Sequence, residues 1–306
     1  MTYNDQKKPK HVLVILNPMA GRCHRRRLEA ILSALGDRGC EVEVHTTEDR
    51  GDAEKLAEQI DPERVDVIAV AGGDGTINEV LNGIDAAAPP IAIVPLGTAN
   101  VLAAEIGLGS TPEAIADTIA FGRPRPISLG CANGRRFAVM ASAGLDAEIV
   151  RHVSLPLKRY LGKGAYAYET LHQLFAFHPP AYQLSIEGKT CEAHGVVIAN
   201  GRFFGGRFVV APNASLEKPS FDICCCTRGG RAATLQYLVS MIRGSLPDRP
   251  DYEIIAAPKL RISGPKDAVV QADGDIVTHL PAEVSIQPNA VELMFPGGMT
   301  SGMATS

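Results

Sequence analysis

The feature that most constrains the fold is the alternation of two hydrophobic patterns over roughly the first 120 residues. Short, wholly apolar runs such as 12–16 and 91–94 are typical of strands buried on both faces of a sheet. Between such runs, apolar residues recur every three or four positions, as in 28–35, which is the stripe of an amphipathic helix. Strands alternating with helices predict an α/β domain whose parallel sheet is covered by helices on both faces.

The pattern changes at Arg123-Pro124-Arg125-Pro126, where two prolines argue against either a helix or a strand. Beyond it, short strand-like runs punctuated by Gly and Pro predict a β-sandwich, with a hairpin turn at Glu187-Gly188-Lys189. Two helices are predicted to interrupt the sandwich. One spans about 160–175, and the other carries an apolar stripe at Leu235, Leu238, Val239 and Ile242.

These patterns divide the chain into two predicted domains. The first, over residues 1–125, is the α/β domain, and a segment from about 285 to 306 is a candidate to complete it. The second, over residues 126–284, is the β-sandwich domain. A chain of 306 residues suits two domains, because typical domains have roughly 100–200 residues.

Charge and cysteine content narrow the class of protein. A net charge of −4 argues against a nucleic-acid-binding protein, which is usually basic. The seven cysteines are odd in number and contain no C-x-x-C pair, which favours a reducing, cytoplasmic compartment. Three of them are consecutive, Cys224–Cys226, and follow Phe221 and Ile223. There we expect cysteine to act as a small apolar residue in a buried strand.

The apolar segments are all short. The run at 12–16 is too short for the apolar core of a signal peptide, and no run approaches the roughly 20 residues of a membrane span. Any contact with a membrane would therefore be made from outside the bilayer.

The strongest local signal for function is the glycine-rich segment Gly72–Asn78, which follows an apolar strand and begins a helix. We expect its three glycines to adopt positive φ angles and to let the backbone approach an anion without a Cβ in the way. The N-terminus of the following helix offers unpaired N–H groups to a phosphate. A plain strand–turn–helix junction is the alternative, but it requires only one glycine.

Two further loops follow predicted strands at the same edge of the sheet, namely Asn17–Gly21 and Pro95–Asn100. Ligands bind beyond the carboxyl ends of the strands in open parallel sheets, so the three loops are predicted to converge on one site. Neither a Walker A sequence nor the protein-kinase motifs are present.

The motifs N-P-x-x-G, G-G-D-G-T and P-x-G-T-x-N in these loops resemble those of the bacterial diacylglycerol-kinase-like lipid kinases, relatives of sphingosine and ceramide kinases. The resemblance extends to the segments 137–147 and 201–212 and to Asp273-Gly274-Asp275. It implies a kinase of phospholipid biosynthesis that moves the γ-phosphate of ATP, with Mg²⁺, to the hydroxyl of diacylglycerol or a related lipid.

The resemblance also implies roles for individual residues. Asp275, in the position of the family's acid after Asp-Gly, would be the general base, and a catalytic Mg²⁺ would bind near Asp74. A surface hairpin turn is the alternative interpretation of Asp273-Gly274-Asp275. The implied nucleotide-binding residues are Asn17, Gly21, Thr47, Gly72, Gly73, Asp74, Gly75, Thr76, Ile77, Asn78, Thr98 and Asn100.

Several positions depart from the family's pattern. Val101 and Ser128 stand where members often carry Asp, and Asp275 is one methylene shorter than the usual glutamate. Lys218-Pro219 replaces an Asp-Gly pair that holds a structural Mg²⁺ in some members. Because a lysine ammonium cannot bind a metal, we expect no structural metal there.

The resemblance further implies a cytoplasmic enzyme that meets its lipid at the inner face of the membrane, with peripheral membrane contact and a homodimer left open. Two alternatives remain at this point. An NAD kinase also has a G-G-D-G-T loop and an α/β-plus-β layout. A non-catalytic protein that binds lipid or nucleotide would account for Val101, Ser128 and Lys218.

Overall fold

The computed structural model describes residues 9–20, 25–152 and 179–297, which form two compact units. The first unit comprises Met1–Gly97, Ile106–Pro126 and Val291–Ser306. The second unit comprises Thr98–Glu105 and Ile127–Ala290. The helix predicted at about 160–175 lies outside the described residues.

The first unit is built on a parallel sheet in the order β2-β1-β3-β4, and the end of the last strand, β18 (Ala282–Phe295), runs parallel to β4. Its own strands are β1 (His11–Leu16), β2 (Glu41–Thr46), β3 (Val67–Gly72) and β4 (Ile91–Pro95). Its helices are α1 (Arg25–Asp37), α2 (Asp52–Glu58), α3 (Asp74–Gly83) and, further along the chain, α5 (Pro112–Phe121). The predicted α/β domain with a parallel sheet is therefore confirmed.

Alternating side chains of β1 show why this sheet needs helices on both faces. Val12 and Val14 pack into one core cluster with Ile31 of α1 and Ile115 of α5. The intervening residues of the strand, including Ile15, are equally buried, and helices α2 and α3 contact each other. A strand buried on both faces is what the wholly apolar run at 12–16 predicts.

The second unit is a sandwich of two mainly antiparallel sheets. One has the order β14-β13-β10-β7-β16-β17, and the other pairs β18-β15-β8-β9, with β5 joined to β18 and β6. Its strands are β5 (Arg123–Ala132), β6 (Arg135–Phe137), β7 (Met140–Ala143), β8 (Tyr182–Ile186), β9 (Lys189–Ala193), β10 (Gly195–Ala199), β11 (Phe203–Phe204), β12 (Phe208–Val209), β13 (Phe221–Cys226), β14 (Tyr252–Ala257), β15 (Lys259–Ser263), β16 (Val269–Ala272), β17 (Asp275–His279) and β18 (Ala282–Phe295). Its helices are α4 (Val101–Glu105), α6 (Leu145–His152) and α7 (Arg231–Ile242), with a 3₁₀ turn at Leu246–Asp248.

The core of the sandwich draws side chains from both sheets, including Tyr182 and Ile262 on one and Ile198 and Phe221 on the other. The rings of Phe137 and Phe221 stack with their centroids 5.8 Å apart. The predicted β-sandwich is therefore confirmed. None of the helices in the described part of the chain is long and apolar enough to cross a membrane.

Two local predictions are also confirmed, namely the hairpin turn at Glu187-Gly188 and the burial of Cys224 in a strand. Glu187 and Gly188 join β8 to β9 with φ angles of 49° and 81°, so both turn residues adopt the left-handed region. The side chain of Thr111 accepts a hydrogen bond from the N–H of Ala114 at 3.2 Å, and so caps α5. Cys224 is fully buried in β13, and this burial raises the pKa of its thiol to about 12.

The prediction that Arg123–Pro126 belongs to neither a helix nor a strand is wrong, because β5 begins at Arg123. Pro124 and Pro126 lie two positions apart, so the N–H groups that they lack are on the same edge of the strand. Both prolines are exposed. A strand tolerates proline where that edge needs no ladder hydrogen bond.

Candidate functional site

The glycine-rich turn joins β3 to α3 through Gly73, which precedes the helix in an extended conformation and makes no side-chain cap. A Cβ at Gly72 would lie 2.6 Å from the hydroxyl of Thr76, so this position requires glycine. A Cβ at Gly73 would meet only the Cα of Gly97, at 3.4 Å. Gly73 supplies no side-chain cap, and the first turn of α3 presents its positive dipole end, which suits an anion.

The expectation of positive φ angles in this segment is wrong, since Gly72, Gly73 and Gly75 are all absent from the left-handed region. The glycines instead allow neighbouring groups of the protein to approach the backbone closely. Gly72 leaves room for the Thr76 side chain, and Gly73 lies against the backbone of Gly97. This close packing is the physical reason for small residues here.

The three predicted loops adjoin one another in the first unit. The N–H of Asn17 donates to the carbonyl of Ala71 at 2.9 Å, which ties the end of β1 to the end of β3. The N–H of Leu96 donates to the carbonyl of Gly72, also at 2.9 Å, which ties in the end of β4. The carboxyl ends of three neighbouring parallel strands therefore meet around the start of α3. Gly21 lies outside the described residues.

Three of the predicted nucleotide-binding side chains are engaged within the protein. The amide of Asn17 donates to the Thr76 hydroxyl at 3.0 Å, and its oxygen accepts from the backbone of the next turn. The hydroxyl of Thr47 donates to the carbonyl of Leu16 at 3.4 Å. The side-chain oxygen of Asn78 accepts from Asn82 at 3.1 Å. These contacts give Asn17, Thr47 and Asn78 a role in shaping the loops.

Thr98 and Asn100 belong to the second unit. Thr98 is exposed, and Asn100 has a φ of 48° and accepts from the N–H of Ala104, so that it starts the short helix α4.

Glu105, at the end of α4, was not predicted. Its side chain is only 4% exposed and accepts hydrogen bonds from the backbone N–H groups of Arg202 (2.9 Å) and Phe203 (3.2 Å) and from the Arg202 guanidinium (3.0 Å). A Cβ at Gly201 would lie 3.1 Å from this carboxylate. The glycines of the 201–206 segment indicate a close approach by another group, but the sequence does not show that this group is Glu105.

The Asp273-Gly274 pair forms a two-residue hairpin turn between β16 and β17, with φ angles of 47° and 89°. The Asp273 carboxylate accepts from three consecutive backbone N–H groups, those of Ala138 (2.6 Å), Val139 (3.0 Å) and Met140 (3.1 Å). Asp273 therefore fixes the break between β6 and β7. Asp275, the predicted base, is the first residue of β17 and is half-buried.

A second carboxylate, Asp146 in the first turn of α6, is linked to this hairpin. It accepts from the hydroxyl of Ser142 at 2.6 Å and from the amide of Gln271 at 2.7 Å. The amide oxygen of Gln271 in turn accepts from the N–H of Gly274 at 2.9 Å. Burial raises the pKa of Asp146 to about 6, although both hydrogen bonds act to lower it.

A carboxyl group with a raised pKa in such a network marks a candidate functional residue. Sequence reasoning assigned no role to Asp146, although Gly144-Leu145-Asp146 was part of the family resemblance. The available signal was Gly144, whose φ of 130° few other residues adopt.

The described residues contain no cluster of three or more His, Cys, Asp or Glu side chains that would hold a metal ion on its own. The Lys218 ammonium donates to the carbonyl oxygen of Asn213. Ser128 is buried, and its N–H donates to the carbonyl of Leu216 at 2.7 Å. Lys218 therefore lies on a loop that is hydrogen-bonded, through Leu216, to strand β5, which carries Ser128. Both residues depart from the family's pattern.

Comparisons with known proteins agree with this architecture. A family model described as the diacylglycerol kinase catalytic domain matches residues 11–132. A second, described as the YegS C-terminal NAD kinase beta sandwich-like domain, matches residues 139–295, which is more than half of the chain.

Individual relatives extend over almost the whole chain. The diacylglycerol kinase of Bacillus subtilis is 28% identical over 280 residues, covering 90% of this chain and 92% of the relative. A Pseudomonas aeruginosa protein named "probable lipid kinase YegS-like" is 28% identical over 296 residues, covering 95% and 96%. The crystal structure of a diacylglycerol kinase from Bacillus anthracis has the same fold, with a TM-score of 0.77 at 24% identity, covering 96% of this chain and 100% of that one.

Fold, loops and matches together define the class of this protein, which is a phosphotransferase with an alcohol acceptor. The chain belongs to the family of diacylglycerol-kinase-like lipid kinases. The predicted resemblance is therefore confirmed, and lipid kinase is supported over the NAD kinase and the non-catalytic binding protein that the sequence left open.

Proposed function

We propose that this enzyme transfers the γ-phosphoryl group of ATP to the free hydroxyl of diacylglycerol. The observation that carries the proposal is the glycine-rich turn that places Gly73 at the start of α3, within the segment that matches the diacylglycerol kinase catalytic domain. The relative from Bacillus subtilis, named a diacylglycerol kinase, supports this acceptor. In this proposal the α/β domain (1–125, with 285–306) binds the nucleotide and the β-sandwich domain (126–284) binds the lipid.

The triphosphate would bind at the start of α3. Backbone N–H groups at the helix N-terminus and the helix dipole attract phosphate oxygens, and Gly73 and Gly75 leave their approach unobstructed. Asn17 and Thr47 would act through the loop contacts described above. Gly21, Thr98 and Asn100 complete the proposed nucleotide-binding set.

The chemical step is an in-line displacement at the γ-phosphorus. The lipid hydroxyl oxygen forms a bond to phosphorus, the bond from phosphorus to the β–γ bridging oxygen breaks, and ADP leaves. Asp275 takes the proton of the attacking hydroxyl, which requires its carboxylate to come within roughly 3 Å of that oxygen, directly or through one water. The half-buried position of Asp275 at the start of β17 leaves its side chain accessible for this role.

The anchored hairpin supports this assignment. Asp273 holds the turn through three backbone hydrogen bonds, and Gln271 holds Gly274. A base must be held in a defined geometry, because a displacement of about 1 Å costs on the order of 100-fold in rate. Residues of β16 and of the turn thus position Asp275.

A magnesium ion fits the first unit only as a partner of the nucleotide. Asp74 is the acidic residue of the glycine-rich turn, and Mg²⁺ in such enzymes is held by one or two carboxylates together with substrate phosphates. When bound, the ion supplies neutralisation of the charge on the transferred phosphoryl group. Asp74 would be the residue of this chain that orients it.

The acceptor lipid implies a place of action. We propose a cytoplasmic enzyme that binds peripherally to the inner face of the membrane, where its substrate is dissolved.

The direct test is product analysis. Purified protein, ATP and Mg²⁺ are incubated with a panel of diacylglycerol, ceramide, a sphingoid base, a polyprenol and NAD, and the products are identified by mass spectrometry. Phosphatidic acid is the expected product. Formation of NADP alone, or the absence of any phosphorylated product while ATP still binds, would contradict the proposal.

A further inference from the structure

Helix α7 (Arg231–Ile242) turns three of its large aliphatic residues toward solvent. Leu235, Val239 and Ile242 are 48%, 36% and 68% exposed. Small or polar residues of the helix, including Ala233 and Ser240, are buried against the sandwich instead. An apolar stripe normally faces the core, so the exposure of these three residues is unusual.

The three exposed residues form one continuous line. They lie at positions i, i+4 and i+7, which place side chains above one another on the same face of a helix. Strand β12 contacts α7 and carries Phe208, which is 39% exposed. Single exposed apolar residues are common, but an aligned set marks an interaction site.

The orientation of the helix is fixed from its buried side. The Tyr237 hydroxyl donates to the carbonyl of Asp251 at 2.9 Å and accepts from the N–H of Arg228 at 3.1 Å. The Arg249 guanidinium lies over the Tyr237 ring, 5.1 Å from its centroid. Rotation of the stripe into the core would break these contacts, so the stripe stays on the surface.

Charge around the stripe indicates what covers it. Residues 227–246 contain three arginines and no Asp or Glu, in a chain whose net charge is −4. Arg228 pairs with Asp251 at 3.4 Å. Arg231 and Arg243, at the two ends of α7, are exposed and form no ion pair with a carboxylate in the described part of the chain. An apolar line between two free cations complements an anionic lipid surface.

We propose that α7 is the surface through which this enzyme docks onto an anionic phospholipid bilayer, with Leu235, Val239 and Ile242 entering the headgroup region and Arg231 and Arg243 contacting lipid phosphates. A bilayer is favoured over a protein partner because the acceptor is a lipid alcohol and because the charged residues at the two ends of α7, Arg231 and Arg243, are both positive. The proposal rests on the proposed function only for the presence of that bilayer, since docking is measurable without catalysis.

The experiment is vesicle flotation of the full chain. Vesicles contain phosphatidylcholine alone or with added phosphatidylglycerol, and the variants are the triple change L235Q/V239Q/I242Q and the double change R231Q/R243Q. Phe121→Gln serves as the matched control, because Phe121 is an exposed apolar residue (65%) in the other unit. Thermal unfolding verifies that each variant is folded.

We expect the wild type to float with the anionic vesicles and the triple variant to lose at least about tenfold in partition coefficient. The double variant should lose roughly fivefold per arginine, and only on anionic vesicles. The Phe121→Gln control should bind like the wild type. The proposal would be overturned if the wild type did not bind anionic vesicles, or if the triple variant bound them as well as the wild type.

Two further readouts separate the alternatives. With dioctanoylglycerol dispersed without vesicles the triple variant should keep wild-type turnover, whereas its turnover on bilayer-embedded diacylglycerol should fall with its binding. A wild type that phosphorylates no lipid, but floats in a stripe-dependent manner, would contradict the proposed function and leave docking intact. If the triple change instead converts a dimer to a monomer and leaves flotation unchanged, the stripe is covered by a second copy and the docking proposal fails.

Discussion

The side chain of Gln271 joins Asp146 to the hairpin that carries Asp275. Its amide nitrogen donates to the Asp146 carboxylate at 2.7 Å, and its oxygen accepts from the backbone N–H of Gly274 at 2.9 Å. The same nitrogen lies 2.8 Å from the Ser142 hydroxyl. A buried carboxylate of helix α6 therefore helps to fix the residue next to the proposed base.

Ionised Asp146 is expected to destabilise the fold at neutral pH. Its pKa is about 6 in the folded protein and 3.8 without the protein environment, so the folded state holds the proton more tightly. Proton binding by Asp146 therefore stabilises the folded protein at low pH, and this stabilisation is lost as pH rises from about 4 to about 6. It amounts to at most about 3 kcal/mol, at roughly 1.4 kcal/mol for each pKa unit.

Asp146→Asn removes this ionisation and keeps an oxygen acceptor. We expect the variant to unfold at a temperature several degrees higher than the wild type at pH 7.5, and at a similar temperature near pH 4. Differential scanning calorimetry across this range measures the effect, with Asp267→Asn, at an exposed acid of the same unit, as the control. A variant less stable than the wild type at pH 7.5 would show that burial does not penalise the Asp146 carboxylate.

The two glycines of the turn should respond differently to a methyl group. Gly72→Ala brings a Cβ within 2.6 Å of the Thr76 hydroxyl, so we expect a loss of stability of about 1–3 kcal/mol. Gly73→Ala meets only Gly97, at 3.4 Å, so the fold should be retained while ATP affinity falls, because the methyl group stands in the path of the phosphates. Calorimetric titration with ATP, alongside thermal unfolding, separates the two effects. Equal ATP affinity in a folded Gly73→Ala variant would remove this turn from the nucleotide site.

Lys218 is expected to supply the positive charge of its loop without a metal. Its ammonium donates to the carbonyl of Asn213, so chelators should leave the melting temperature of the wild type unchanged. The double change Lys218→Asp with Pro219→Gly removes the ammonium and offers a carboxylate, and should make the melting temperature rise with added Mg²⁺. Stoichiometric Mg²⁺ bound beside Lys218 in the wild type, detected by elemental analysis and located by crystallography, would contradict this expectation.

Local pattern was enough to predict the two architectures and several turns. The wholly apolar run at 12–16 and the Glu187-Gly188 turn each carry their own structural information within a few residues. Contacts between distant segments could not be predicted in this way. Asp273 bonds backbone groups about 134 residues away, and Glu105 bonds Arg202 across 97 positions. One sequence does not show which buried carboxylate meets which loop.

Two predictions about backbone conformation were wrong because local propensity did not decide the outcome. The glycines at 72–75 are needed for close approach and not for positive φ, and the prolines of 123–126 are tolerated because their missing N–H groups share one edge of β5. The stripe of α7 was read correctly as helical. Its exposure depends on Tyr237, whose hydrogen bonds hold the opposite face of the helix against the sandwich.

The role of Asp275 as general base is tested by measuring turnover and ATP affinity on the same preparation of Asp275→Asn. This change keeps the shape of the side chain and removes its basicity. We predict that turnover on diacylglycerol falls by about 100-fold or more, that ATP affinity is unchanged, and that Asp275→Glu retains activity. Asp267→Asn is the control. Asp273 does not serve as one, because its side chain accepts hydrogen bonds from three backbone N–H groups and its replacement would disturb the turn. Near wild-type turnover in Asp275→Asn would contradict the claim and direct the search for the base to Asp74.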